Sequence, residues 1–172
     1  MPNIILISNT YPDGATLLRV LNYVLNAGET AGYALDPSHA YRCMQMVKIG
    51  FHKQEGVQLL HFIISFSTAE MYRTTTEEVM EIGYQIGCLF QEFQMVQGLH
   101  FDSGHIHLHV VMNLVSFRDG HRYSGGLAGF WRLRSMLQER FPQSDVGIYR
   151  SIPNSDCNRF SGTEEDDLLR IS

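Results

Sequence analysis

The sequence predicts an α+β fold: a two-layer sandwich with a central, mostly antiparallel sheet and helices packed on it. Three observations lead there. Apolar runs of strand length alternate along the chain with amphipathic segments of helical period. Some neighbours, such as the strands at 94–101 and 105–117, are joined by a turn too short to hold a crossover helix, which favours antiparallel pairing. Residues 105–117 (HIHLHVVMNLVSF) read as the clearest strand, with Ile106, Leu108, Val110, Met112 and Leu114 making one face wholly apolar. That apolar face asks for a helix layer to cover it.

Taken in order, residues 3–8 (NIILIS) form a short apolar run bounded by turn residues, which reads as a strand. Tyr11-Pro12-Asp13-Gly14 is a turn, and Asp13 or Thr16 can cap the next helix. Residues 15–26 predict that helix, with Leu17, Leu21, Val24 and Leu25 as its apolar stripe. Arg19, Asn22, Tyr23 and Asn26 share the other face, and Gly28 stops the helix. Asp36-Pro37 opens a second helix to about Val47. Residues 57–67 have the β-branched and aromatic content of a buried strand. Thr75 to Glu78 is a capping box heading a helix to about Phe93. Residues 94–101 and 105–117 read as strands, 127–141 as a basic amphipathic helix and 146–150 as a last strand. From Ser151 the chain turns polar, with the acidic run Glu164 to Asp167. The expected organisation is therefore one domain over residues 1–150 and a polar acidic tail or surface arm over 151–172.

A chain of 172 residues with 44% hydrophobic and 18% charged residues can bury a core without disulfides or structural metal. Cys43, Cys88 and Cys157 show no paired spacing, which suits a reducing compartment. No signal peptide or long apolar span is evident, so a cytoplasmic protein without membrane insertion is expected. The net charge of −5 argues against a protein that coats nucleic acid. It leaves room for a local basic groove. The cations are mostly arginine, since only Lys48 and Lys53 are lysines.

The chemistry concentrates at His100-Phe-Asp102-Ser-Gly-His105-Ile-His107-Leu-His109. On a strand of period two, His105, His107, His109, Val111 and Asn113 share the face opposite the apolar one. Alternate residues stand about 7 Å apart. Two neighbouring imidazoles can meet on one ion, so the third ligand has to come from an adjacent segment, and His100 is the obvious donor. Three neutral imidazoles leave coordination positions open, the pattern of a catalytic metal rather than a closed structural one. Asp102 lies on the face of His100 if the strand persists, where it could orient an imidazole or take a proton.

The run from His100 to Asn113 resembles the metal motif of MobP-type relaxases, mobilization nucleases of the HUH endonuclease superfamily. The resemblance extends to Leu21-Asn22-Tyr23-Val24 with Asn26, similar to the family's tyrosine motif, and to residues 61–70 (HFIISFSTAE), 77–87 and 113–123. It covers roughly residues 1–150. It implies that His100, His107 and His109 hold a divalent ion, Mn²⁺ or Mg²⁺, with Zn²⁺, Ni²⁺ or Co²⁺ also suited to imidazoles. It implies Tyr23 as the nucleophile toward single-stranded DNA at an origin of transfer, through a 5′-phosphotyrosine, and accessory and coupling proteins as partners. Tyr11 and Tyr33 are the nearest competitors for that role. His105 then becomes a phosphate contact, and Asn113 a candidate DNA contact. The sequence departs from the family at Asn26-Ala27-Gly28-Glu29-Thr30, where a proline and a lysine are missing, and at Ser124-Gly125-Gly126.

Between residues 118 and 150 six arginines stand against three acids. Arg122 and Arg132 are the expected phosphate contacts, while Arg134 and Arg140 suit a solvated helix face. Two other readings compete: a three-histidine metalloenzyme of cupin type, and a relaxase-like module that binds single-stranded DNA without cutting it.

Overall fold

The apolar face of the histidine strand finds its helix layer. The computed structural model describes residues 2–102, 105–151 and 168–171. Its elements are β1 (Asn3–Leu6), α1 (Gly14–Leu25), β2 (Glu29–Tyr33), a 3₁₀ turn (Pro37–His39) leading into α2 (Ala40–Gly50), β3 (Leu59–Phe66), α3 (Thr68–Met71), α4 (Thr76–Leu89), β4 (Met95–Asp102), β5 (His105–Asn113), α5 (Ala128–Arg140), β6 (Gly147–Ser151) and β7 (Leu168–Arg170). The strands form one sheet in the order β2-β4-β5-β3-β1-β6-β7. Every pairing is antiparallel except β1 with β6. The class is α+β with a mostly antiparallel sheet. A single open sheet with helices is not the all-strand barrel of a cupin, so that reading falls.

The local signals act as expected. The Asp13 carboxylate accepts from the Thr16 amide at 2.8 Å and caps α1. Thr75 and Glu78 close a reciprocal capping box on α4. The apolar residues of β5 join Phe62, Ile64 and Phe66 of β3 and Leu99 of β4 in the main core. Val79, Ile82 and Ile86 of α4, with Phe130, Leu133 and Leu137 of α5, cover that face.

Helices also occupy the other face, beyond the two layers that the sequence predicts. Leu17, Val20, Leu21 and Val24 of α1 and Met44 of α2 pack on Leu59, Val96 and Val111. The apolar stripe of α1 needs a partner, and the histidine face offers those three residues beside the imidazoles. Gly98 sets how close α1 comes. A Cβ there would overlap the Val24 carbonyl oxygen and lie 3.0 Å from Val24 Cγ1. Only glycine lets the last turn of α1 press against β4 at that point.

Two strands lie outside those that the sequence pattern predicts. β2 pairs with β4 from Glu29↔Leu99 to Tyr33↔Met95. β7 pairs with β6, and Ile171 donates its amide to Ile148 at 2.8 Å and packs on the main core. Residues 168–170 of the expected tail are thus an edge strand. The acidic run at 164–167 and Cys157 lie outside the described residues, as do Ser103 and Gly104. Among the described residues, no helix is long and apolar enough to cross a membrane.

Candidate metal and nucleophile site

The register of β4 against β5 assembles the histidines. His100 stands directly opposite His107, and Gly98 opposite His109. On the other side, β3 places Ile63 opposite His109 and His61 opposite Val111, so His61 is a diagonal neighbour of His109. All of these positions share the histidine face.

This register sets the spacing of the rings. His100 and His109 have centroids 4.6 Å apart, His107 and His109 6.3 Å, and His105 and His107 6.3 Å. His109 is fully buried and His107 nearly so, whereas His105 is exposed. A metal–nitrogen bond of about 2.1 Å puts each ring centroid about 3.2 Å from the ion, so two ligands at 90–110° have centroids about 4.5–5.2 Å apart. His100 and His109 already meet that spacing. His107 stands about 1 Å wide of it, within reach of a side-chain rotation. Accordingly, no group of three His, Cys, Asp or Glu side chains among the described residues forms a ready-made ligand set. The donor chemistry nonetheless fits a divalent ion. His109 Nε2 is buried with no hydrogen-bond partner among the described residues. Burial, with His61 and the other imidazoles nearby, holds the His109 pKa well below the usual histidine range, so the ring is neutral and able to ligate.

Tyr23 lies on this cluster. Its ring stacks on His100 with centroids 4.9 Å apart and planes 20° apart, and meets His109 edge-on at 5.4 Å. It is half-buried, at the end of α1 that Gly98 admits. The Val24 carbonyl accepts from His100 Nε2 at 3.3 Å, a second tie between α1 and β4. Tyr11 is 2% exposed and Tyr33 packs beside Tyr84 and Gly87, so neither competitor shares this position.

His61 is not among the residues that the sequence singles out, and Tyr11 enters the cluster in a place other than that of a nucleophile. His61 Nε2 lies 3.1 Å from His109 Nδ1, and Tyr11 Oη lies 3.5 Å from His61 Nδ1. Both rings are buried, and burial pushes the His61 pKa down to about 3, with His100 adding to the effect. A signal is available: period two in β3 sets His61 opposite in face to Phe62, Ile64 and Phe66.

The remaining candidates fall elsewhere. Asn113 is fully buried, and its amide donates to the Met44 carbonyl at 3.3 Å and to Gln94 Oε1 at 3.1 Å. It ties α2 to the sheet and has no face toward a bound strand. Arg122 donates to the carbonyls of Val57 at 2.9 Å, Lys53 at 2.8 Å and Glu55, caging the loop before β3. Arg134 donates to the Val146 carbonyl at 2.7 Å and pairs with Asp145, and Arg140 pairs with Glu78 and Glu81. Arg132 is exposed on α5. Asp102 ends β4 opposite His105, with its side chain outside the described residues.

Comparison with known proteins gives a consistent answer. The chain is 29% identical over 107 residues to a protein named Protein rlx from Staphylococcus aureus, and 27% identical over 107 residues to a second protein of that name and species. Each match covers 61% of this chain but only 32% or 33% of the relative, so the chain spans about a third of their length. No solved structure matches it. The family model described as relaxase, MobA/VirD2-like, nuclease domain, matches residues 23–140, from the tyrosine on α1 through the histidine strands to the end of α5. With more than half of its length matched in this way, the chain belongs to the MobA/VirD2-like relaxase nuclease family.

Proposed function

We propose that this chain is a metal-dependent, strand-specific DNA nicking and joining enzyme that acts on single-stranded DNA at an origin of transfer. The observation that carries the reading is the seating of Tyr23 on the rings of His100 and His109, 4.9 and 5.4 Å away. A lone surface tyrosine has no reason to stack on a buried imidazole cluster. Membership of the MobA/VirD2-like family supports a relaxase-type nuclease, and similarity to the two proteins named Protein rlx agrees with it.

In this reading His100, His107 and His109 hold a divalent ion. When bound, the ion offsets the negative charge of the scissile phosphate, which otherwise repels a nucleophile. Tyr23 attacks the phosphorus. Its oxygen–phosphorus bond forms as the bond to the 3′ oxygen breaks, the tyrosine proton leaves to a base, and the 3′ oxygen takes up a proton to become a hydroxyl. The product is a 5′-phosphotyrosine, and reversal rejoins the strand. Tyrosine has an intrinsic pKa near 10, so removal of its proton needs a base or a nearby cation. Asp102, at the end of β4, is the proposed proton acceptor or imidazole partner. Exposed His105 and Arg132 are the proposed phosphate contacts. In the cell the substrate strand would be presented by accessory DNA-binding and coupling proteins in the cytoplasm.

The test is covalent capture. The full chain, loaded with Mn²⁺ or Mg²⁺ and given single-stranded oligonucleotides from a cognate origin, should form an adduct that resists denaturation and disappears with Tyr23→Phe. An adduct retained by Tyr23→Phe sinks the assignment of the nucleophile. Binding without an adduct at any divalent ion would mark a module that holds DNA without cutting it.

A further inference from the structure

The pair His61 and Tyr11 is not accounted for by nucleophile, ligand set or DNA contact, yet it is among the most deeply buried polar groupings in the fold. His61 is fully buried and Tyr11 is 2% exposed. They come from distant segments, the turn before α1 and the strand β3, and they meet behind His109. A buried polar chain of this kind is costly unless each member has its partner.

The proton positions can be worked out from the acceptors. Each neutral imidazole carries one N–H and one lone pair. Between His61 Nε2 and His109 Nδ1, at 3.1 Å, one nitrogen must donate and the other accept. If His61 donated, His109 would carry its own proton on Nε2, a buried donor with no acceptor among the described residues. Orphaned buried N–H groups are rarer than under-used acceptors, and such a donor costs on the order of 1–3 kcal/mol. If His109 donates from Nδ1, its Nε2 instead presents a lone pair. His61 then accepts at Nε2 and carries its proton on Nδ1, facing Tyr11 Oη at 3.5 Å.

We infer that His61 is a positioning residue, backed by Tyr11, that fixes the Nδ1–H tautomer and ring orientation of His109 so that Nε2 is offered as a lone pair. Histidines that bind metals commonly have their second nitrogen held in this way by a carboxylate, a backbone carbonyl or water. Here the holder is a neutral imidazole. It orients the ring without adding negative charge behind it, which leaves the charge of a bound cation undiminished for an anionic substrate. The inference rests on the metal reading only for its purpose. The tautomer itself is a property of the metal-free chain.

The full chain, labelled with ¹⁵N and free of metal, gives the first measurement. Long-range ¹H–¹⁵N correlation should show His109 protonated at Nδ1 with Nε2 unprotonated. Protonation at Nε2 overturns the inference without any variant. The second measurement is Mn²⁺ affinity by calorimetry. His61→Leu should weaken binding about 10–100-fold, the usual effect of losing the group that holds a ligand. His61→Gln, whose side-chain oxygen can accept from Nδ1–H, should stay within a few-fold of wild type and keep the tautomer. Tyr11→Phe should leave both tautomers as they are, because His109 Nδ1–H still requires the lone pair on His61 Nε2, and should lower the Tm by removing the hydroxyl that faces His61 Nδ1–H. A folded His61→Leu with unchanged Mn²⁺ affinity and unchanged His109 tautomer would refute the role. If His61→Leu does not fold, the comparison of His61→Gln with His61→Asn, whose shorter arm cannot reach, decides the same question. Failure to form a DNA adduct with these results intact would count against the nicking reading and not against this one.

Discussion

Gly98→Ala tests whether the approach of α1 to β4 builds the site. The added methyl would overlap the Val24 carbonyl oxygen and lie 3.0 Å from both the carbonyl carbon and Cγ1 of Val24. Two of these atoms are helix backbone, so no side chain can swing away to make room. Ordinary contact is about 3.5 Å, so the last turn of α1 must withdraw by roughly 1 Å. Three things then loosen together: the 3.3 Å bond from His100 to the Val24 carbonyl, the stacking of Tyr23 on His100, and the packing of Val24 on Val96 and Val111. Overpacking of this kind costs about 1–3 kcal/mol. For a chain of 172 residues that is a drop in Tm of roughly 2–12 °C. A 1 Å misplacement of a reacting group costs on the order of 100-fold in rate. The assays are a thermal melt and, in parallel, single-turnover adduct formation. The expected signature is a folded protein of lowered Tm whose adduct rate falls far more than its Mn²⁺ affinity, because His107 and His109 belong to β5. Wild-type Tm and adduct rate in Gly98→Ala would refute the claim that α1 is seated by the missing Cβ.

Two further predictions concern charge. Lys48 is fully buried in the last turn of α2, its Nζ has no hydrogen-bond partner among the described residues, and burial with the nearby Arg122 lowers its pKa from 10.5 to about 8. Because the folded value lies below the unfolded one, its stability contribution is complete above about pH 10.5, falls as pH drops toward 8, and stays low beneath that. At about 1.4 kcal/mol for each tenfold change in the protonation equilibrium the loss is about 3 kcal/mol. Lys48→Met should therefore be more stable than wild type at pH 7 by up to that amount, with the advantage shrinking through pH 8–10.5 in chemical denaturation. A less stable Lys48→Met at pH 7 would mean that the ammonium has a structural task of its own. Second, Arg122, Arg134 and Arg140 are engaged with protein groups, which leaves Arg118, Arg132 and Arg150 as the candidates for phosphate among the six arginines of residues 118–150. Three phosphate contacts on single-stranded DNA correspond to a slope of log K against log salt of about −2. A slope several times steeper would mean that cations beyond these three engage the strand.

How much of the fold and site is legible in the sequence depends on where each feature's information is held. The face of His105, His107 and His109 is readable because period two is a local property of one strand, opposed by the apolar series from Ile106 to Met112. His100 is readable as a partner because only a few residues separate it from that strand. Tyr23 is singled out as a candidate by resemblance and by its polar helix face, and its place on the imidazoles comes from the packing of α1 on the sheet. The features that escape a sequence reading are held in pairings. The bond between His61 and His109 depends on the register of β3 against β5, two segments more than forty residues apart. The role of Gly98 depends on a helix that no local pattern assigns to that face. β2 (ETAGY) lacks apolar alternation, and its strand state comes from β4 beside it. Asn113 resembles a surface residue because it shares the histidine face, but α2 covers that end of the strand and draws its amide inward. Arg122 looks available for phosphate because a sequence does not display the carbonyls of a distant loop.

The geometry of the site is fixed by residues that never touch it. A slip of one residue between β4 and β5 would send the His100 side chain to the opposite face of the sheet from His107 and His109. That slip is opposed on the other face, where Leu99 lies across from Leu108 and Met95 across from Met112, all within the core beneath α4 and α5. Shifting either strand would press imidazoles into the apolar core under those helices and set leucine and methionine among the polar groups of the histidine face, forfeiting part of the roughly 1.5–3 kcal/mol that each such side chain gains from apolar burial. The same apolar pairs that hold the sheet against the helices therefore hold three imidazoles in register. From the other side, the stripe of α1 brings Tyr23 down onto them through the gap at Gly98. The geometry of the candidate site is a consequence of core packing on both faces of one sheet, so Leu108→Ala should lower Mn²⁺ affinity in calorimetry as loss of a histidine does.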